Sequence, residues 1–256
     1  LTEGAYDDAM RHSITKMSHF HFVATKDYRK RVIQLGENPN TVFNVGGFGI
    51  ENINKLKLIK KKILEKDLGF TFCKKNLIIT FHPVTLEKHE TSKQIDELLK
   101  ALLSLKNTGL IFTMPNADTD NSIIFKKIKF FCKKVKNAKY FKSLGQIRYL
   151  SCIQYADGVV GNSSSGLLEV PSFKKGTINI GDRQRGRLQA SSVINCKPKY
   201  ILIKRALKYL FSKTFQNKLK KVKNPYGNGN SSKTVVGILE KQNLSNLLKK
   251  NFYNLK

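Results

Sequence analysis

From Ala156 to Arg187 the chain sets a β-branched run, a glycine, a serine cluster, an apolar stretch, a second β-branched run and an arginine-rich loop in close succession. No other stretch constrains the fold as tightly. Ala156-Asp-Gly-Val-Val stops at Gly161, the polar turn Asn162-Ser-Ser-Ser follows, and Thr177-Ile-Asn-Ile stops again at Gly181. The order is strand, small turn, helix, strand, which places both strands in one parallel sheet. A helix starting near Ser164 leaves its first N–H groups unpaired, and the hydroxyls of Ser163, Ser164 and Ser165 add donors at the same point. That is an anion cradle. Past the second strand, Asp182, Arg183, Arg185 and Arg187 enter a loop. The chain holds eight arginines in all, so three in one loop point to fork-shaped recognition of phosphate or carboxylate. The competing reading is an ordinary helix cap followed by a solvated basic turn.

The rest of the chain repeats the alternation. Helices are predicted over Asp7–Ser18, Lys26–Leu35, Lys93–Ser104, Asn121–Val135, Gln146–Tyr155 and Lys204–Leu219, and strands over Phe20–Thr25, Thr41–Val45, Asn76–Phe81, Leu110–Thr113 and Ala138–Phe141. Strands separated by such helices imply an α/β fold with a doubly wound parallel sheet. The glycine-rich turn at Gly46, Gly47 and Gly49 lacks full dinucleotide spacing and reads as a tight βα connection opening a second domain. A domain boundary is placed near Pro39. Ser231 or Ser232 is expected to cap a closing helix, and residues 241–256 are assigned to that closing element.

Composition removes several classes of function. The four cysteines are scattered without a Cys-x-x-Cys pair, so neither a disulfide framework nor a zinc site is indicated, and reduced cytoplasmic thiols fit best. No metal or cofactor is implied. No window approaches the roughly 18 apolar residues of a membrane span. The chain opens at Leu1 without the charged and apolar regions of a signal peptide, and is expected to lack its front. The net charge of +29 invites a polyanion-binding reading. However, 39 of the 47 basic residues are lysines spread over predicted helix faces, with no zinc-finger, basic-zipper or RNA-binding aromatic signature, so no specific nucleic acid is expected.

Several residues carry chemistry at strand or helix ends. Asp7 and Asp8 open a helix on which Arg11 and His12 follow four residues later, either as capping charges with ion pairs or as carboxylates for proton transfer. His82 and Asn116 each sit just past a strand end, where open α/β sheets bind ligands, although a solvated histidine and a turn asparagine explain them as well.

Gly161-Asn-Ser-Ser-Ser-Gly166, then Glu169, then Thr177-Ile-Asn-Ile-Gly-Asp-Arg-Gln-Arg-Gly-Arg187 closely resembles the hydrolysing UDP-N-acetylglucosamine 2-epimerases of bacterial sialic acid synthesis. The resemblance covers nearly the whole chain, and Asp7-Asp-x-x-Arg-His12 is similar to that family's active-site helix. It implies a GT-B arrangement, two Rossmann-like domains with the nucleotide sugar between them. Residues 1–38 would then be the last elements of the first domain, residues 39–240 the nucleotide-binding domain, and 241–256 a closing helix packing back on the first. By the same resemblance Ser163, Ser164 and Arg183 hold the diphosphate, Glu169 takes the ribose hydroxyls, His82 and Asn116 complete the nucleotide pocket, and Ser165 and Gly166 belong to the same nucleotide-binding site. The Ser143-Leu144-Gly145 turn packs beside the uracil. Asp7, Asp8, Arg11 and His12 are the implied catalytic group. The expected substrate is a nucleotide sugar and the expected full-length state a homo-oligomer. Related epimerases act on diacetamido-trideoxy sugars, and a GT-B glycosyltransferase would share the diphosphate site. Without most of the first domain, the piece alone is expected to be inactive.

Overall fold

The computed structural model describes residues 7–83, 90–114, 121–227, 229–245 and 249–255. Contacts divide the chain into two compact units, one running up to Lys55 and again from Asn224 onward, the other Leu56–Lys223.

The first unit opens with α1 (Asp7–Met17), β1 (His21–Val23), α2 (Lys26–Gln34), β2 (Val42–Asn44) and α3 (Phe48–Lys55). β1 and β2 pair in parallel, His21 opposite Val42, with Phe22 and Phe43 stacked at 5.7 Å. Thr25 caps α2 by accepting the Tyr28 N–H at 3.1 Å. From α2, Arg29 donates to the carbonyls of Pro39 and Val42 at 2.6 and 2.8 Å. These bonds latch the turn between the strands. The apolar stripe that marks α1 in the sequence is exposed, Met10 by 65%, Ile14 by 58% and Met17 by 72%.

The second unit carries α4 (Lys61–Leu68), β3 (Lys75–Thr80), α5 (Thr91–Leu103), β4 (Thr108–Thr113), α6 (Asn121–Lys134), β5 (Ala138–Phe141), α7 (Gly145–Tyr155), β6 (Gly158–Gly161), α8 (Ser165–Leu168), β7 (Gly176–Ile180), β8 (Val193–Cys196), α9 (Tyr200–Leu210) and α10 (Lys213–Lys220). Its six strands pair in the order β5-β4-β3-β6-β7-β8, all parallel. A sheet covered on both faces needs near-continuous apolar strands. Accordingly β4 is buried at every position and β3 at all but Lys75. Alternation then divides the strand residues between faces. Leu77, Ile79, Leu110, Phe112, Val160 and Ile178 join one core with Ile95 and Leu98 of α5, Ile124 and Ile128 of α6, and Leu207 and Leu210 of α9. Ile78, Ile111 and Val159, equally buried, point the other way, toward the face where α7 packs on β3.

Three expectations are corrected. The helix predicted over Lys204–Leu219 is two helices, because Ser212 turns extended and its hydroxyl accepts the Phe215 N–H at 3.2 Å, restarting the helix. A further strand, β8, escapes the sequence reading because as an edge strand it is only half-buried and shows no continuous apolar run. No helix forms among the described residues of 241–256. The last helix, α11 (Ser231–Leu239), ends earlier, and 249–255 are irregular. Its cap position is Asn230, Ser231 being its first residue.

The units also divide after Lys55 and Lys223, not at residues 38 and 240. Parallel pairing with β1 keeps β2 in the first unit. Gly47 N–H donates to the Tyr226 carbonyl at 2.7 Å and Ser232 N–H to Glu51 at 2.7 Å, which bind the following residues to the loop before α11 and to α11 itself. The glycine turn at Gly46 therefore joins β2 to α3 inside the first unit.

Candidate nucleotide site

Successive strands run outward from β3 through β4 to β5, then from β6, beside β3, through β7 to β8. Connections on the two sides diverge between β3 and β6, and a crevice opens at the carboxyl ends of such a pair. The chain closes the floor of that crevice with one side chain. Asn162 Oδ1 accepts the His82 N–H at 2.7 Å and Asn162 Nδ2 donates to the His82 carbonyl at 2.9 Å, so the ends of β3 and β6 are clasped. The clasp requires a bare backbone before it. Gly161 has φ +136°, and a Cβ there would lie 1.9 Å from the Thr80 carbonyl oxygen. The Asn162 carbonyl in turn accepts from Arg183 Nη1 at 3.1 Å and from buried Gln184 Nε2 at 2.8 Å. These bonds aim the arginine loop back at the switch point.

Above this floor lies a cavity of about 490 Å³ whose walls include His82, Ser143, Leu144, Gly145, Ser163, Ser164, Ser165 and Arg183. Eight of the sequence-predicted residues are thus brought together. Lys142, Gln146 and Tyr149 line it as well, and none of these was singled out in the sequence. The Tyr149 hydroxyl donates to Ser165 Oγ at 2.7 Å, and Ser165 hydrogen-bonds the Glu169 carboxylate. Burial raises the Glu169 pKa above the ordinary carboxylate value, opposed by the Ser165 bond. Its Oε2 is buried and has no hydrogen-bond partner among the described residues. Glu169 itself does not line the cavity.

Two predicted features change character. α8 spans only Ser165–Leu168, a single turn, so the cradle rests on hydroxyls and Arg183 more than on a helix dipole. Gly166 does not line the cavity. A Cβ there would meet Thr177 Cγ2 at 2.5 Å, and Thr177 Oγ1 donates to the Gly166 carbonyl at 2.7 Å, so this glycine lets α8 approach β7. Nor do the loop arginines act as one cluster. Arg185 borders a separate cavity of about 510 Å³ with Asn179, Asp182 and Lys197. Asn116 lies outside the described residues. In the first unit, α1 carries the Asp7 position, Asp8, Arg11 and His12, with Asp8 Oδ2 4.0 Å from His12 Nε2 one helical turn away.

Among the described residues no helix is long and apolar enough to cross a membrane. Nor do three His, Cys, Asp or Glu side chains converge there as a metal site would require.

A family model described as UDP-N-acetylglucosamine 2-epimerase matches residues 1–240. Polysialic acid biosynthesis protein P7 of Escherichia coli is 45% identical over 236 residues, 92% of this chain and 60% of that protein. GDP/UDP-N,N'-diacetylbacillosamine 2-epimerase (hydrolyzing) of Campylobacter jejuni is 45% identical over 257 residues, all of this chain and 66% of that protein. The chain therefore spans somewhat under two thirds of the length of these relatives. Among solved structures, the UDP-GlcNAc 2-epimerase from Neisseria meningitidis bound to UDP-GlcNAc superposes with a TM-score of 0.70 at 20% identity, covering 93% of this chain and 65% of that one. The architecture is GT-B-like α/β.

Proposed function

Because the chain belongs to the UDP-N-acetylglucosamine 2-epimerase family, we propose that it serves a hydrolysing 2-epimerase converting UDP-N-acetylglucosamine to N-acetylmannosamine and UDP, a step toward sialic acids. The observation that carries this reading is the polar cavity at the β3–β6 switch point, with Arg183 on its wall and Glu169 linked to it through Ser165. In this reading Arg183 and the hydroxyls of Ser163 and Ser164 hold the diphosphate. Glu169 takes the ribose hydroxyls, as the family resemblance implies. The Ser143–Gly145 turn borders the base.

The chemistry then needs two services. The anomeric C–O bond breaks and UDP departs with the electron pair, while a carboxylate removes the C2 proton and a C1–C2 double bond forms. Water adds at C1 and a proton returns to C2 from the opposite face. Arg183 and the serine hydroxyls meet the charge that develops on the leaving diphosphate. Asp7 and Asp8 are the proton-transfer groups, with Arg11 and His12 beside them on the helix.

A second reading has its own support. The 45% identity to the Campylobacter enzyme favours a diacetamido-trideoxy sugar carried on GDP or UDP. Calorimetric titration of UDP, with GDP as control, into the chain and its Arg183→Ala variant tests the nucleotide site. UDP release from the two nucleotide sugars, by a protein that carries both domains, ranks the substrates. Saturable UDP binding lost in the variant supports the reading. Binding that the variant keeps, or none at all, overturns it.

A further inference from the structure

α1 holds its place by an unusual means. Its apolar stripe is exposed, so burial does not fix the helix; the bonds gather instead at its carboxyl end. Lys250, in the irregular segment after α11, donates to the carbonyls of Thr15, Lys16 and Ser18 at 3.0, 2.7 and 2.5 Å, and pairs with Glu37 Oε2 at 2.8 Å. Lys16 of the same helix pairs with Glu37 Oε1 at 2.7 Å and donates to the Leu35 carbonyl at 3.1 Å. His21 Nε2 lies 2.9 Å from Glu37 Oε2. The Glu37 side chain is 2% exposed. One buried carboxylate thus joins α1, β1 and the tail.

The tail is seated as well as paired. Tyr253 N–H donates to the Gly36 carbonyl at 2.8 Å, and the Phe252 ring occupies the space of a Gly36 side chain, whose Cβ would lie 2.2 Å from it. Lys16 Nζ sits 5.0 Å from the centre of the same ring. An ammonium at the negative end of a helix is favourably placed to cap its last carbonyls.

We propose that Lys250 is a positioning residue. It caps α1 and ties it to Glu37, and so holds the helix that presents Asp7, Asp8, Arg11 and His12 for proton transfer. This rests on the proposed function only for what α1 does, not for the clamp. Lys250 lies beyond the residues the family model matches.

The test is hydrogen exchange resolved by peptide on the full chain, comparing wild type with Lys250→Met, Lys250→Arg and Glu37→Gln, and with UDP titration of each. Exchange in residues 7–18 is expected to rise about tenfold in Lys250→Met, and to rise also in Glu37→Gln, while β3–β7 and UDP affinity are unchanged. Lys250→Arg, which keeps a cation and donors, is expected to restore most of the protection. Unchanged exchange in α1, an equal rise throughout the unit that arginine does not reverse, or protection lost in Lys250→Arg as in Lys250→Met would overturn the clamp. Absent UDP binding in wild type would instead overturn the function while leaving the clamp judged by exchange alone.

Discussion

Single residues carry the site in two ways, by what they offer a ligand and by what they leave out. Gly161 acts by omission. Any side chain there collides with the Thr80 carbonyl and must also adopt a left-handed backbone. Gly161→Ala is therefore expected to destabilise the chain by about 2 kcal/mol or more and to weaken UDP binding with it, read from denaturant midpoints and calorimetry. Arg183 acts by offering charge. Removing it takes away a charge-assisted partner for the diphosphate, and Arg183→Ala is expected to weaken UDP binding about tenfold or more with little change in melting temperature. A melting temperature that collapses with affinity would assign Arg183 to the clasp at Asn162. The asparagine stands inside the motif that carries the family resemblance, yet its work as a clasp between β3 and β6 was not legible. Nothing in a sequence says which strands will be neighbours.

At the scale of elements, short polar devices decide where structure starts and stops. Ser212 restarts the chain as α10, and Ser212→Ala is expected to cost about 1 kcal/mol in thermal unfolding. Around α1 and β1 the device is electrostatic. Burial holds the His21 pKa below its ordinary 6.5, outweighing the bond to Glu37 that raises it. Burial pushes Glu37 upward, but bonds from Lys16, Lys250 and His21 prevail and its pKa lies below 4.5. Both groups bind protons more readily once unfolded. The stability they contribute is present above about pH 6.5 and is lost as the pH falls, through His21 and then Glu37. The chain is expected to melt lower at pH 5.5 than at 7.5, and His21→Gln to flatten that difference. An unchanged pH dependence in the variant would count against a neutral His21.

For the whole molecule, the net charge of +29 and the nucleotide cavity make opposed predictions. Binding to a DNA duplex through scattered lysines must fall steeply with salt, whereas UDP held by Arg183, serine hydroxyls and Glu169 should lose little affinity between 50 and 200 mM salt. Titrations of both ligands at the two salt concentrations separate the cases. DNA binding that stays strong at the higher concentration, with no UDP response, would make nucleic-acid recognition, not the cavity, the functional feature.

The sequence by itself determined the class of fold and the motif. Periodicity and punctuation are local properties, and the strand, serine turn, strand and arginine loop of 156–187 are written within a few turns of chain. Tertiary structure alone decided the rest. It placed β6 beside β3 and so made a crevice. It set Arg183 and Arg185 of the loop on two different cavities, and it drew β2 and α3 into the first unit through pairing with β1 and a bond to α11. It also gave Lys250 its partners, some 230 residues away in sequence. Such contacts form because buried carbonyls and carboxylates must find donors wherever the packed chain supplies them. That supply depends on which segments meet, and local sequence does not encode it.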